Sequence, residues 1–378
     1  MIYLDFAATS PVNVEAIRAA TPYLTTDFAN PSSTHSSGRR AKAALNDARE
    51  RVAKLTSAHS SEVIFTASGT EAINLALSGI SLAQPAGRRI ISSPTEHQAS
   101  LAALNFLHQF HGFQIDWLEV DKFGVVSPDQ LETLLRADTT LVSLMCVNNE
   151  TGTIQPVNEV ASICASLNVP FHTDAVQAAG WMSLGFNNPA ISALSLSGHK
   201  FGAPKGTGAL LLSRDIACEP LIHGGNQESG NRSGTENVAW CVAFAEALSL
   251  LPDVEQEGSR ISKMRDWFTT TVLADVPGSS LTGHATDRHP AIASFVIEGI
   301  HGASLLSELD RMNIQISSGS ACSSEHEESS HVLKAMGYDD NTAQSAIRIS
   351  LGHTTSMDEL EATAAALQRA VTDLSLYR

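Results

Sequence analysis

A lysine at the end of an apolar run is the first group with an evident chemical use. Ser197-Gly198-His199-Lys200 follows Ile191 to Leu196 and leads into the glycine-rich stretch Phe201 to Gly208, so the Lys200 amine can be enclosed by tight turns. Partial desolvation lowers an ammonium pKa, which a Schiff-base lysine requires. Lys205, within the turn, is the competing amine. A second cluster, Phe65-Thr66-Ala67-Ser68-Gly69-Thr70-Glu71, runs from an apolar strand into the helical Ala72 to Leu77. A helix start presents unpaired N–H groups and a positive dipole end, so it suits a phosphate; the alternative is an ordinary N-cap. In the third, Phe171-His172-Thr173-Asp174-Ala175-Val176-Gln177, a carboxylate stands at a strand tip with an amide three residues on. Asp174 could keep a pyridine nitrogen protonated, which makes the ring a better electron sink, or it could cap a helix.

These groups need a scaffold that gathers them. Between residues 60 and 215, short Val, Ile and Leu runs alternate with helical patterns, as in parallel strands joined by crossover helices. Strands are expected at Glu62 to Thr66, Arg89 to Ser93, Thr140 to Val147, Pro170 to Thr173, Ile191 to Leu196 and Gly208 to Leu212. Polar groups follow five of them: Ser68-Gly69-Thr70, Glu96-His97, Asn148-Asn149-Glu150, Asp174 to Gln177 and Ser197 to Lys200. Open α/β sheets bind ligands beyond the carboxyl ends of their strands, so the five clusters are expected to meet in one crevice. After the helical Val238 to Leu251, Pro252-Asp253 marks a boundary. A smaller α+β region follows, with a strand Ile292 to Ile297, helices at Ala303 to Met312 and from Met357 onward, and a polar, mobile loop at Ser317 to Ser330. The reading is therefore α/β: a large domain over 14–255 with a mostly parallel sheet, and a small domain from 1–13 and 256–378 that carries the loop.

The chain has 378 residues, past the roughly 250 to 300 at which a single core stops growing. Its formal charge of -16 argues against binding nucleic acid, because phosphate repels a surface of its own sign. No apolar run is long enough for a membrane span, and Met1 to Asp5 lacks the basic start of a signal peptide, so a cytosolic protein is expected. Five cysteines without a CxxC pair suit a reducing compartment and leave any thiol chemistry to one reactive residue.

Taken together, the motifs resemble the cysteine desulfurases of the class V aminotransferase group, fold type I pyridoxal-phosphate enzymes of iron-sulfur and nitrogenase assembly. The resemblance runs from Tyr3-Leu4-Asp5-Phe6-Ala7-Ala8-Thr9 and Asn30-Pro31-Ser32-Ser33-Thr34-His35 through Thr95-Glu96-His97, Asn148-Asn149-Glu150-Thr151-Gly152, the lysine motif and Arg232-Ser233-Gly234-Thr235. It closes with Ser317 to Ser324, around Cys322, and Ile347-Arg348-Ile349-Ser350-Leu351-Gly352. It implies pyridoxal 5'-phosphate held by Lys200, with His97 stacked on the ring as acid or base and Asp174 at the ring nitrogen. Gln177 and Asn149 would reach the ring hydroxyl. Gly69, Thr70, Ser197 and His199 would hold the phosphate, and Thr235 of a second subunit would complete that site in a homodimer. Arg348 would clamp the substrate carboxylate, assisted by Asn149 and Asn30, since a guanidinium matches two oxygens.

The resemblance further implies that Cys322, on a tether of Gly and Ser, attacks the sulfur of bound L-cysteine. The products would be L-alanine and a persulfide destined for an acceptor such as an iron-sulfur scaffold. The rival readings are a selenocysteine lyase or other aminotransferase-type enzyme on the same scaffold, and a non-catalytic platform. Three stretches depart from the familiar pattern: the acidic Ser323 to Glu328, Gly352-His353-Thr354-Thr355, and Ala67-Ser68-Gly69. Loop charge is usually solvated, so His326, Glu327, Glu328 and His331 are not read as a metal site.

Overall fold

The computed structural model describes residues 1–83, 85–318 and 329–376. Seven strands form the main sheet: β2 (Val63–Thr66), β3 (Arg89–Ser92), β4 (Gln114–Trp117), β5 (Thr139–Ser143), β6 (Phe171–Asp174), β7 (Ala193–Ser197) and β8 (Gly208–Leu212), in the order β2-β8-β7-β6-β5-β3-β4. The pairs from β7 through β4 are parallel, while β8 runs antiparallel to both its neighbours. The carboxyl ends of β2, β3, β5, β6 and β7 therefore lie along one edge.

Alternate residues of each strand feed two apolar layers, which is why the strands read as continuous hydrophobic runs. Phe65, Val142, Leu194 and Leu211 join the layer completed by helices Ser36–Thr56 and Val238–Ser249. Their neighbours Ile64, Leu141, Ala193 and Leu210 face the layer built on helix Gln98–His111 and on Ile73.

A separate core surrounds a three-stranded antiparallel sheet of β9 (Ser279–Leu281), β10 (Ile292–Ile297) and β12 (Ala346–Ser350), in the order β12-β10-β9. Helices Val254–Asp275, Gly302–Arg311 and Met357–Ser375 supply Phe268, Leu305 and Leu367 to that core. The N-terminal strand β1 (Ile2–Tyr3) pairs in parallel with β11 (Ile314–Gln315), and Leu4 is buried with the small-sheet residues. The chain then crosses back: Ser10 N and Asn13 N donate to the carbonyls of His199 and Gly202 in the large sheet's loops.

The expected α/β architecture is present, with three differences. Strand β5 ends at Ser143 and not at Val147. Beyond it Leu144 N and Cys146 N still donate to the β6 carbonyls of His172 and Asp174, and the buried Asn148 side chain then gathers the N–H groups of Glu150 and Thr151, both at 2.9 Å, into a turn. Strands β1, β4, β9, β11 and β12 lie outside the expected set; β4 is an edge strand whose Gln114-Ile115-Asp116-Trp117 is too polar and exposed to stand out as a run. The reversed direction of β8 is the third.

Candidate active site

Five chain segments leaving the strand ends, together with residues 7 and 8, enclose a cavity of about 300 Å³. Its wall includes Gly69, Thr70, His97, Asn149, Asp174, Gln177, Ser197, His199, Lys200 and Arg348, ten of the residues expected at the site. Thr235 is exposed on the loop before helix Val238–Ser249 and does not line the cavity. Asn30 is also exposed, its side-chain oxygen accepting from Ser32 N at 2.8 Å, and it too lies off the cavity wall. Cys322 falls outside the described residues, as do His326, Glu327 and Glu328.

Local geometry explains each placement. A short 3-10 turn, Gly198–Lys200, follows β7 and brings Lys200 to the cavity, where its Nζ donates to the carbonyls of Ala7 at 2.5 Å and Ala8 at 3.0 Å. Ser68 caps the helix beginning at Gly69 through a bond from Glu71 N at 3.1 Å, which leaves the earlier N–H groups of that turn directed away from the helix. A Cβ on Gly69 would lie 2.9 Å from both Ser197 Cβ and Val176 Cγ2, so only glycine lets these segments close into a cradle. His97 caps helix Gln98–His111 by accepting from Ala99 N at Nδ1, 3.1 Å. The neutral ring therefore carries its proton on Nε2.

Burial governs the titration of these groups. It raises Asp174 to about 6, against the lowering pull of the Val176 N–H bond and of Lys200. A cation facing Asp174 would restore an ordinary carboxylate, so the residue fits a protonated ring nitrogen. Burial likewise lowers His97 to about 4, aided by Lys200 and His331, and lowers His199 to about 4, aided by Lys200 and Lys205. Both imidazoles are neutral at pH 7. Among the described cysteines, Cys146, Cys164 and Cys218 are pushed up to about 12, chiefly by burial, so none of the three offers a thiolate.

Arg348 enters from the other side. It stands in β12, 2% exposed, with Nη1 donating to Asn149 O at 2.7 Å and Nη2 to the Asp5 carboxylate at 2.8 Å. Its backbone exchanges hydrogen bonds with Ser317, at 2.6 and 3.1 Å. Ser330 donates to Glu150 at 2.5 Å, and His331 Nε2 bonds to Glu96 O at 3.0 Å. Asp5, Glu96 and Asn148 carry no role assigned from the sequence, although all three stand in the stretches that carry the resemblance. Among the described residues no cluster of His, Cys, Asp and Glu is arranged to hold a metal ion, and no helix is long and apolar enough to cross a membrane.

The family model for class-V aminotransferases matches residues 2–363. A cysteine desulfurase IscS from Dictyoglomus turgidum is 40% identical over 375 residues, spanning 99% of this chain and 95% of that protein. Among solved structures, a NifS-like protein superimposes with a TM-score of 0.91 at 33% identity, covering 99% of this chain and 100% of its own. SspA in complex with cysteine gives a TM-score of 0.82 at 31% identity, over 93% of this chain and 99% of its own.

Proposed function

Because the chain belongs to the class-V aminotransferase family, alongside that family's cysteine desulfurases, we propose that it converts L-cysteine to L-alanine and passes the sulfur on as a persulfide of Cys322. The observation that carries this reading is the meeting of one amine, one buried carboxylate, two neutral imidazoles and one guanidinium around a single cavity. Pyridoxal 5'-phosphate, when bound, supplies an electron-withdrawing ring that weakens the bonds at the substrate's α-carbon.

Each residue then has a task that its surroundings support. Lys200 would hold the cofactor and, once released, move a proton at Nζ. Asp174 would face the ring nitrogen, with Gln177 and Asn149 near the ring hydroxyl. The turn at Gly69 and Thr70, with Ser197 and His199, would hold the phosphate, and Thr235 would reach it from the second subunit of a homodimer. His97, with its proton on Nε2, would stack on the ring and donate or accept there. Arg348 would take the substrate carboxylate, with Asn149 and Asn30 assisting.

The sulfur step needs a thiolate close by. Cys322 follows Ser318 by four positions in the sequence. Ser317, next to Ser318, is bonded to the backbone of Arg348 itself. In the step, Cys322 sulfur bonds to the substrate sulfur, the substrate's carbon–sulfur bond breaks, and a proton completes the methyl group of alanine. An acceptor thiolate, such as one on an iron-sulfur scaffold, then bonds to the outer sulfur, the S–S bond breaks and the Cys322 thiolate is released. The test is Cys322→Ala, assayed for alanine and for sulfide released by reductant: both should fall by at least about 100-fold while the cofactor absorbance stays. A variant that still turned over cysteine at the normal rate would remove Cys322 from the reaction.

A further inference from the structure

The segment from Asp5 to Ser10 crosses the site and is tied to both of its halves. Towards the large sheet, Ala7 O accepts from Lys200 Nζ and, at 2.9 Å, from Gln177 Nε2. Thr9 Oγ1 meets His199 Nδ1 at 3.1 Å, and Ser10 Oγ donates to His199 O at 2.8 Å. Towards the small sheet, Ala7 N donates to Ser350 Oγ at 2.9 Å, and Asp5 forms a parallel bridge with Ser350. The Tyr3 hydroxyl closes the turn, its one proton shared between the carbonyls of Asp5 at 3.0 Å and Thr9 at 2.8 Å.

Asp5 is where this strap meets the buried guanidinium. Asn149 O holds Nη1 of Arg348 and the Asp5 carboxylate holds Nη2, so two anchors on different nitrogens fix the plane of the fork. A planar donor pair recognises a carboxylate only when it is presented in that plane, and ordering it beforehand spares the cost on binding. Building on the substrate-clamp reading of Arg348, we infer that Asp5 is a positioning residue for the substrate's carboxylate, acting through Arg348. The strap around it also holds the Lys200 amine, so the orientation of the clamp and that of the lysine are set by one stretch of chain.

The experiment is a double-mutant cycle on the cofactor-loaded enzyme, with Asp5→Ala and Arg348→Lys. Asp5→Ala should raise KM for cysteine about 10-fold and leave kcat within about 2-fold, the mark of lost ground-state binding. Asp5→Asn, which keeps an acceptor, should recover at least half of that loss on a logarithmic scale. On the Arg348→Lys background, Asp5→Ala should change KM by less than about 2-fold. An effect of Asp5→Ala that persists in full on that background overturns the inference, as does an unchanged KM. If Arg348→Lys itself leaves KM unmoved, the clamp reading fails and the inference falls with it; a KM raised by Arg348→Lys alone removes only the role of Asp5. The thermal midpoints of the same four proteins without cofactor give a second readout. Coupled shifts are expected, and strictly additive shifts would mean that the Asp5 and Arg348 side chains do not act as a pair.

Discussion

The large sheet and the small sheet bring different kinds of group to one cavity. From the large sheet come Lys200, Asp174 and His97, each within a few residues of a strand end and placed there by local backbone: a 3-10 turn, an N-H bond from Val176, a helix cap; the Lys200 amine alone of the three reaches a distant partner, the carbonyls of Ala7 and Ala8. From the small sheet comes Arg348, mid-strand in β12, whose orientation depends on Asp5 and Asn149, both far away in sequence. Local backbone can set a side chain with little help from elsewhere. A residue held by distant partners is set only once the whole chain has folded. The first half of the site should therefore lose function through chemistry when mutated, and the second through binding and geometry.

The largest effect should come from Lys200→Ala. Activity should fall by at least about 10³-fold and the absorbance of the lysine-bound cofactor should vanish, because no other described amine lines the cavity. An intact spectrum would mean that the sheet half of the comparison has the wrong anchor. Asp174→Asn should follow, with kcat reduced about 100-fold, since a neutral amide no longer keeps the ring nitrogen protonated. Its cofactor-free protein should nevertheless be more stable at neutral pH than the parent, as burial makes the charged carboxylate costly. Finding both activity and stability lowered would turn Asp174 into a structural residue. On the small-sheet side, Arg348→Lys should raise KM for cysteine about 10- to 100-fold with a smaller change in kcat, because a point charge replaces a fork. A drop in kcat alone would erase the proposed division between chemistry and binding.

The same division governs what the sequence makes legible. Strand-end clusters sit next to their own strands, so the rule that ligands bind beyond carboxyl ends brings Thr70, His97, Asn149, Asp174 and Lys200 together from the sequence alone. The reversed β8 has a signal that goes unused: the stretch from Gly198 to Thr207 is too short for the crossover that a parallel partner needs. The edge strand Gln114–Trp117 has almost none, for Gln114 and Asp116 interrupt its two apolar residues and Trp117 is exposed. Asp5 has none at all as a partner of Arg348, since nothing in the sequence spacing states that one end of the chain folds against the other. Asn30 shows the converse. It stands in a recognisable motif, yet within one chain its side-chain oxygen accepts from Ser32 N and the residue lies off the cavity wall.

The smallest effect concerns a buried carboxyl that joins the two halves. Glu96 is fully buried; its Oε1 accepts from Met145 N at 2.6 Å, and its carbonyl takes the bond from His331. Burial raises its pKa to about 8, opposed by the Met145 bond and reinforced by the neighbouring charge of Asp174. The folded chain thus binds the Glu96 proton more tightly than the unfolded chain does. This contributes stability that is complete below about pH 4.5 and is lost as pH rises towards 8. Glu96→Gln keeps the acceptor for Met145 and removes the titration. Its thermal midpoint relative to the parent should therefore climb between pH 5 and pH 8, by an amount equivalent to about 1 to 3 kcal/mol. Loss of cofactor should leave the sign unchanged, because the effect belongs to the protein's own burial of the acid. A difference that stays flat with pH would mean that water or a cation reaches Glu96, and that the loop bearing His97 is less closed than its hydrogen bonds indicate.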